Sequence, residues 1–105
     1  MINVFISQPM SGKTNEEIRR KRRELTDRAA EYFGEPVCII NSFFDANNPI
    51  TFLMESMNDL GYLGMSLILL SKADAAVFAE GWENSKGCRI ERRCCEEYSI
   101  DVVDL

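Results

Sequence analysis

Short strand-like runs alternate with helical segments along the chain, and this alternation is the feature that most restricts its fold. The strand-like runs are residues 2–6, 37–40, 75–79 and 100–103, and the helical segments are residues 15–33, 49–71 and 85–98. Because parallel neighbours need crossover connections, this order predicts a parallel sheet with helices on both faces. We expect an α/β fold with three layers, flavodoxin-like or Rossmann-like, with four strands in the order 2-1-3-4, as a single domain over residues 1–105.

This strand order places a switch point between strands one and three, where open α/β sheets bind ligands. The loops that meet there are residues 7–13 and 80–87. The first ends in Gly12-Lys13-Thr14, as a P-loop does, but Ser7 stands where the P-loop has its first glycine. The loop suits an anion such as a phosphate before the helix, and it equally suits an ordinary turn.

Glu91 stands on the wrong face of the third helix. At 100° per residue it falls within the apolar arc, which holds Gly87, Cys88, Ile90, Cys94, Cys95 and Tyr98. A carboxylate aimed at a core is costly unless it is paired, protonated or facing a cavity. In a cleft such a group is a candidate nucleophile or base; otherwise it pairs with an arginine or accepts a backbone hydrogen bond.

The composition excludes several chemistries. The chain has no histidine, so it has no Ser-His-Asp or Cys-His nucleophile pair. Its four cysteines form no CxxC motif, and we interpret them as buried hydrophobic residues in a reducing cytoplasm. We therefore expect no metal and no cofactor.

Charge and hydropathy limit the partners. The net charge of −5 argues against nucleic acid, because phosphate contacts need a basic surface. The N-terminal run has no basic region, and residues 65–70, the longest apolar stretch, are too short to cross a bilayer. We expect a cytoplasmic protein that binds neither nucleic acid nor membrane.

Two further features have two interpretations each. The basic run 19–23 is either a nucleic-acid patch or, with acidic residues on both sides, a solvated helix face. Trp82, the only tryptophan, either stacks on a base or sugar or covers the core.

Three segments carry a resemblance to a known family. Residues 4–12 (VFISQPMSG), 73–77 (ADAAV) and 85–91 (SKGCRIE) are similar to the nucleoside 2-deoxyribosyltransferase-like family, which includes deoxynucleoside-monophosphate N-glycosidases and a branch of small phage and bacterial proteins. The resemblance implies that Glu91 is the nucleophile that attacks the anomeric carbon of deoxyribose. It also implies a homo-oligomer, which would bury the apolar helix 49–71.

The resemblance further implies a substrate-binding set drawn from the switch-point loops and their neighbours. That set is Phe5, Ser7, Gln8, Ser11, Gly12, Ser66, Trp82, Ser85 and Gly87. Three positions depart from the family pattern. Phe5 stands where the family frequently has tyrosine, and Gln8 stands where it has glycine. Ser66 stands near the position at which the family has an aspartate that assists the reaction.

Three functions follow as hypotheses. The first is an enzyme that transfers deoxyribose or cleaves the N-glycosidic bond of a small nucleoside or nucleotide. The second is a module of the same fold that binds a nucleotide without turnover. The third is a structural protein of a phage or mobile element whose crevice has no function.

Overall fold

The computed structural model describes residues 1–45, 48 and 58–105, and these confirm the predicted fold. The elements in chain order are β1 (Ile2–Ser7), α1 (Asn15–Phe33), β2 (Val37–Ile39), α2 (Asp59–Leu70), β3 (Ala75–Phe78), a 3-10 turn (Trp82–Asn84), α3 (Lys86–Glu97) and β4 (Asp101–Asp104). The four strands form one parallel sheet in the order β2-β1-β3-β4. Strand and helix ends differ from the prediction by at most one residue, except at the start of α2.

Alternation along the central strands divides the core into two layers. Val4 and Ile6 of β1 pack with Leu25 and Ala29 of α1 on one face of the sheet. Phe5 lies on the opposite face, with residues of β3, α2 and α3. Because side chains alternate in a strand, Ser7 lies on the same face as Phe5. The parity of β1 thus aims Ser7 at the α3 side of the sheet.

Local sequence explains where α1 begins and ends. Thr14 accepts a hydrogen bond from the Glu17 amide (3.1 Å), while the Glu17 carboxylate accepts one from the Thr14 amide (3.0 Å). This reciprocal capping box satisfies two amides at the helix start. At the other end Gly34 takes a left-handed conformation (φ 70°) that ends the helix.

The prediction of one continuous helix over residues 49–71 is wrong at residue 58. Asn58 has an extended backbone, and its side chain accepts a hydrogen bond from the Gly61 amide (3.0 Å), so α2 begins after it. Asparagine favours this capping role because its short side chain reaches backbone amides. The predicted helical residues 49–57 lie outside the described residues.

The prediction that this helix is buried is also wrong within the single chain. Of α2, Leu70 is buried, but Leu60 is 73% exposed and Ile68 is 55% exposed. The reason is geometric: α2 packs on one face of a four-stranded sheet beside α3, so only one side of it can reach the core. The side of α2 that faces away from the core is apolar, and the described residues leave it exposed.

Candidate functional site

Glu91 lies on the buried face of α3. Ser85 caps the start of the helix: its backbone is extended, and its hydroxyl accepts a hydrogen bond from the Cys88 amide (3.4 Å). Cys88, Glu91 and Cys95, spaced three and four residues apart, are its buried residues. Tyr98 and Ile90, which share the predicted arc, are exposed, so Glu91 lies nearer the middle of the buried stripe than the sequence indicates.

Ser7 holds the Glu91 carboxylate. The Ser7 hydroxyl donates to Glu91 Oε1 at 2.6 Å, and the two side chains are 1% and 8% exposed. Burial raises the pKa of Glu91 to about 7, and the Ser7 hydrogen bond opposes that rise. No lysine or arginine in the described part of the chain lies within ion-pair distance of this carboxylate. The alternative of a structural glutamate paired with arginine therefore does not match the described residues.

A cavity of about 380 Å³ opens beside Glu91. Six predicted substrate-binding residues line it together with Glu91: Phe5, Gln8, Ser11, Ser66, Ser85 and Gly87. They come from β1 and the loop after it, from the middle of α2 and from the start of α3, so residues far apart in sequence meet at the predicted switch point. The carboxylate is thus desolvated by protein on one side and adjoins an open hollow on the other.

Three predicted residues do not line this cavity. Ser7 is buried in the sheet and contacts Glu91 rather than the cavity. Gly12 is exposed on the turn before α1, and its φ of 78° lies in the left-handed region that favours glycine. Trp82 packs edge-to-face on Phe78 (6.0 Å between centroids), with the Arg92 guanidinium 4.1 Å from its ring centroid. Trp82 therefore covers the core, as its second interpretation has it.

The backbone hydrogen bonds of the loop after β1 match an ordinary turn at the start of α1. The Lys13 amide donates to the Met10 carbonyl (3.1 Å), and the capping box already uses the Thr14 and Glu17 amides. The Glu17 carboxylate supplies the negative charge at this helix start, and its hydrogen bond with the Thr14 backbone lowers the Glu17 pKa. A phosphate would have to displace this carboxylate.

The cavity also contains residues that the sequence prediction missed. Asp59, in the first turn of α2, brings a second carboxylate to the lining. An aromatic wall comes from Phe43, Phe44 and Tyr62, in which the rings of Phe44 and Tyr62 are 6.1 Å apart. Cys88 lines the cavity beside Glu91, and burial raises the pKa of its thiol. Of these residues, only Cys88 could have been found from the sequence, because helical spacing places it one turn before Glu91.

The described residues contain no cluster of three or more histidine, cysteine, aspartate or glutamate side chains that could hold a metal ion. None of the helices in the described ranges has the length and apolar character needed to cross a membrane.

Comparison with known proteins gives one family. A family model described as "Domain of unknown function (DUF4406)" matches residues 2–104, which is nearly the whole chain. No curated protein sequence matches significantly.

The burial of Glu91 predicts a specific pH dependence of stability. Because its pKa is about 7 in the folded chain against an ordinary 4.5, the folded state binds this proton more tightly. The Glu91 contribution to stability is therefore lost as the pH rises from about 4.5 to about 7, by about 3 kcal/mol. We expect Glu91→Gln to be more stable than the wild type at pH 8, with little difference at pH 4.5.

Urea unfolding at both pH values measures this difference. Glu96→Gln, an exposed change on the same helix, is the control and should leave the pH dependence as in the wild type. An equal effect of Glu91→Gln at both pH values would contradict the raised pKa.

Proposed function

Since the chain belongs to the DUF4406 family, whose description assigns no activity, we propose a function from the site itself: cleavage or transfer of the N-glycosidic bond of a deoxynucleoside or deoxynucleotide, with Glu91 as nucleophile. The observation that carries this proposal is a buried carboxylate, held by a neutral hydroxyl, beside an open cavity. The similarity to the nucleoside 2-deoxyribosyltransferase-like family in residues 4–12, 73–77 and 85–91 supports it.

The chemistry uses the two oxygens of Glu91 differently. Oε1 accepts the Ser7 hydrogen bond, and we assign attack on the anomeric carbon to Oε2. The new ester bond forms as the carbon–nitrogen bond breaks, and the base leaves with the electron pair and takes a proton. Water or a second base then attacks the same carbon and restores the carboxylate. A nearby anion stabilises the oxocarbenium-like transition states of both steps, as in retaining glycosidases.

Asp59 is the candidate acid that protonates the leaving base. The chain has no histidine, so this proton must come from another group. Ser66 lines the cavity but cannot supply the acid expected from the family pattern. Asp59 lies seven residues earlier on α2, which is about two helical turns and therefore the same face. Asp59 therefore lines the same cavity as Ser66, about two helical turns away along α2.

The walls suit a small nucleoside-like ligand. Phe43, Phe44 and Tyr62 offer aromatic surface on which a base can stack. A wider depression shares Ser11, Ser85 and Gly87 with the cavity and is lined by Lys13 and Lys86. The two lysines outnumber the Asp59 carboxylate on this lining and so favour an anionic ligand, and the substrate we favour carries a 5′-phosphate.

A second candidate is a module that binds a nucleotide without turnover. Phe5 favours it, because a phenyl ring lines the cavity where the family frequently has a tyrosine hydroxyl. This function keeps the cavity and its aromatic wall but needs no chemistry from Glu91.

We also propose that the chain forms a homo-oligomer through α2. Residues 60–71 contain no charged side chain, and Leu60 and Ile68 are exposed on the same helix. A helix that is apolar all round is normally buried. A second copy supplies a matching uncharged surface under twofold symmetry.

Replacing the nucleophile tests the proposed activity. We expect Glu91→Gln to lower the release of free base from deoxynucleotides by at least about a thousandfold, because an amide oxygen is a poor nucleophile. Chromatography of the released base measures this, and Glu96→Gln is the control. Equal base release by the wild type and Glu91→Gln would overturn the assignment.

Nucleotide binding without base release would favour the binding module. A nucleotide at one hundred times its dissociation constant should then raise the free energy of unfolding by about 2.7 kcal/mol.

Replacing the candidate acid tests the role of Asp59. We expect Asp59→Asn to lower kcat by about a hundredfold for substrates whose base needs protonation. The effect should shrink for an analogue with a base that leaves without a proton. Asp101→Asn, an exposed aspartate at the start of β4, is the control. A uniform loss for both substrates would argue against an acid role.

A charge placed on α2 tests the oligomer. We expect Ile68→Lys to shift the sedimentation coefficient from oligomer to monomer, because it buries a charge in the proposed interface. Tyr32→Lys, an equally drastic change at an exposed residue of α1, should leave the assembly intact. A wild-type chain that sediments as a monomer at micromolar concentration would contradict the proposal.

A further inference from the structure

Arg22 lies behind the cavity wall and contacts it at two places. Its guanidinium donates to Gln8 Oε1 (3.1 Å), to the Ile40 carbonyl (3.4 Å) and to Ser42 Oγ (3.4 Å). Gln8 follows β1 and Ser42 follows β2; both are buried, and both line the cavity. A single side chain of α1 thus joins two separate loops of the wall.

These contacts fix the orientation of the Gln8 amide. Its Oε1 accepts from Arg22, and its Nε2 donates to the Ile18 carbonyl (3.3 Å). Rotating the amide by 180° would place an NH₂ group against the guanidinium, so one orientation is strongly preferred. The amide carries a second N–H, which we assign to an acceptor atom of the ligand.

Arg19, one turn earlier on α1, holds the second loop from the other side. It pairs with Asp45 at 2.6 Å and lies 5.8 Å from the centroid of the Phe43 ring. Other members of the basic run form exposed helical pairs, Arg20 with Glu16 and Lys21 with Glu24. Two arginines of the basic run therefore contact residues of the cavity wall. Neither interpretation of the run in the sequence analysis predicts these contacts.

The choice of arginine suits this position. A guanidinium is planar and presents five donors in fixed directions, so it can reach acceptors on two loops at once. Burial lowers the pKa of Arg22 to about 10, which leaves it charged at neutral pH. The nearby Asp45 carboxylate favours this charged form, while the hydrogen bonds that Arg22 donates go to neutral acceptors, two of which line the cavity.

We propose that Arg22 is a positioning residue for ligand recognition, which fixes the Gln8 amide and the Ser42 hydroxyl so that the wall presents set hydrogen-bonding groups to a nucleoside-like ligand. The proposal rests on the proposed function for the identity of the ligand. It assigns Arg22 no contact with the ligand and no part in bond breaking. It therefore predicts a loss in KM rather than in kcat.

The experiment compares three variants of the full chain. In Arg22→Met, we expect KM for deoxynucleotide cleavage to rise about tenfold, with kcat within about threefold. Arg22→Lys should recover little of this loss, because an ammonium cannot span both loops. Arg23→Met, the same change one residue along at an exposed position, should keep the wild-type KM. The side-chain amide signal of Gln8 in a ¹⁵N-edited NMR spectrum should move in both Arg22 variants and stay in Arg23→Met.

The outcomes separate the positioning role from the activity. A lower melting temperature in Arg22→Met with an unchanged KM would show a merely structural arginine and overturn the proposal. A wild-type chain that releases no base would overturn the proposed function, and the dissociation constant of a deoxynucleotide, measured by calorimetry, then decides the role of Arg22. A constant raised about tenfold in Arg22→Met and unchanged in Arg23→Met supports the proposal, and an equal constant in all three chains overturns it.

Discussion

The hydrogen bond from Ser7 to Glu91 is the interaction on which the proposed site depends. It joins the end of the central strand β1 to the middle of α3, across residues 84 apart in sequence. A buried carboxylate without a cation is costly, and one short hydrogen bond to the charged form offsets part of that cost. The remainder appears as the raised pKa of Glu91. A chain without histidine thereby gains a group that titrates near neutral pH.

The fold tolerates this cost because the rest of the sheet is well packed. Apolar residues bury both faces of β1 and β3, and the capping box and Gly34 fix the length of α1. Catalytic sites are frequently destabilising, and the surrounding structure has to supply the stability they consume. Here the desolvated Glu91 carboxylate lies at one end of the two central strands, at the switch point where open sheets bind ligands. The cavity therefore borders the core, and Phe5 belongs to both.

Much of this arrangement could be predicted from local pattern. Short apolar runs alternating with helical segments gave the sheet order, and helical spacing alone placed Glu91 on the inner face. The parity of β1 also implies that Ser7 shares a face with Phe5, although only the structure shows that its hydroxyl reaches Glu91. Asp59 and the wall at Phe43 and Phe44 could not be predicted, because they reach the cavity through the docking of α2 and of a loop. Helical spacing places Arg22 on the same face of α1 as Ile18 and Leu25, so its inward position could have been predicted. Its contacts with Gln8 and Ser42 could not, because they depend on how two loops pack against that face.

If Glu91 is the nucleophile, it forms a covalent bond to the sugar, and peptide mass spectrometry of an acid-quenched reaction can detect that bond. The chain is mixed with a deoxynucleotide for a single turnover, quenched, digested and sequenced by fragmentation. We expect a deoxyribose-phosphate adduct on the peptide that contains Glu91, localised to that residue and absent from Glu91→Gln. Release of base with no adduct under any quench time, or an adduct on Asp59 or Cys88 instead, would contradict it.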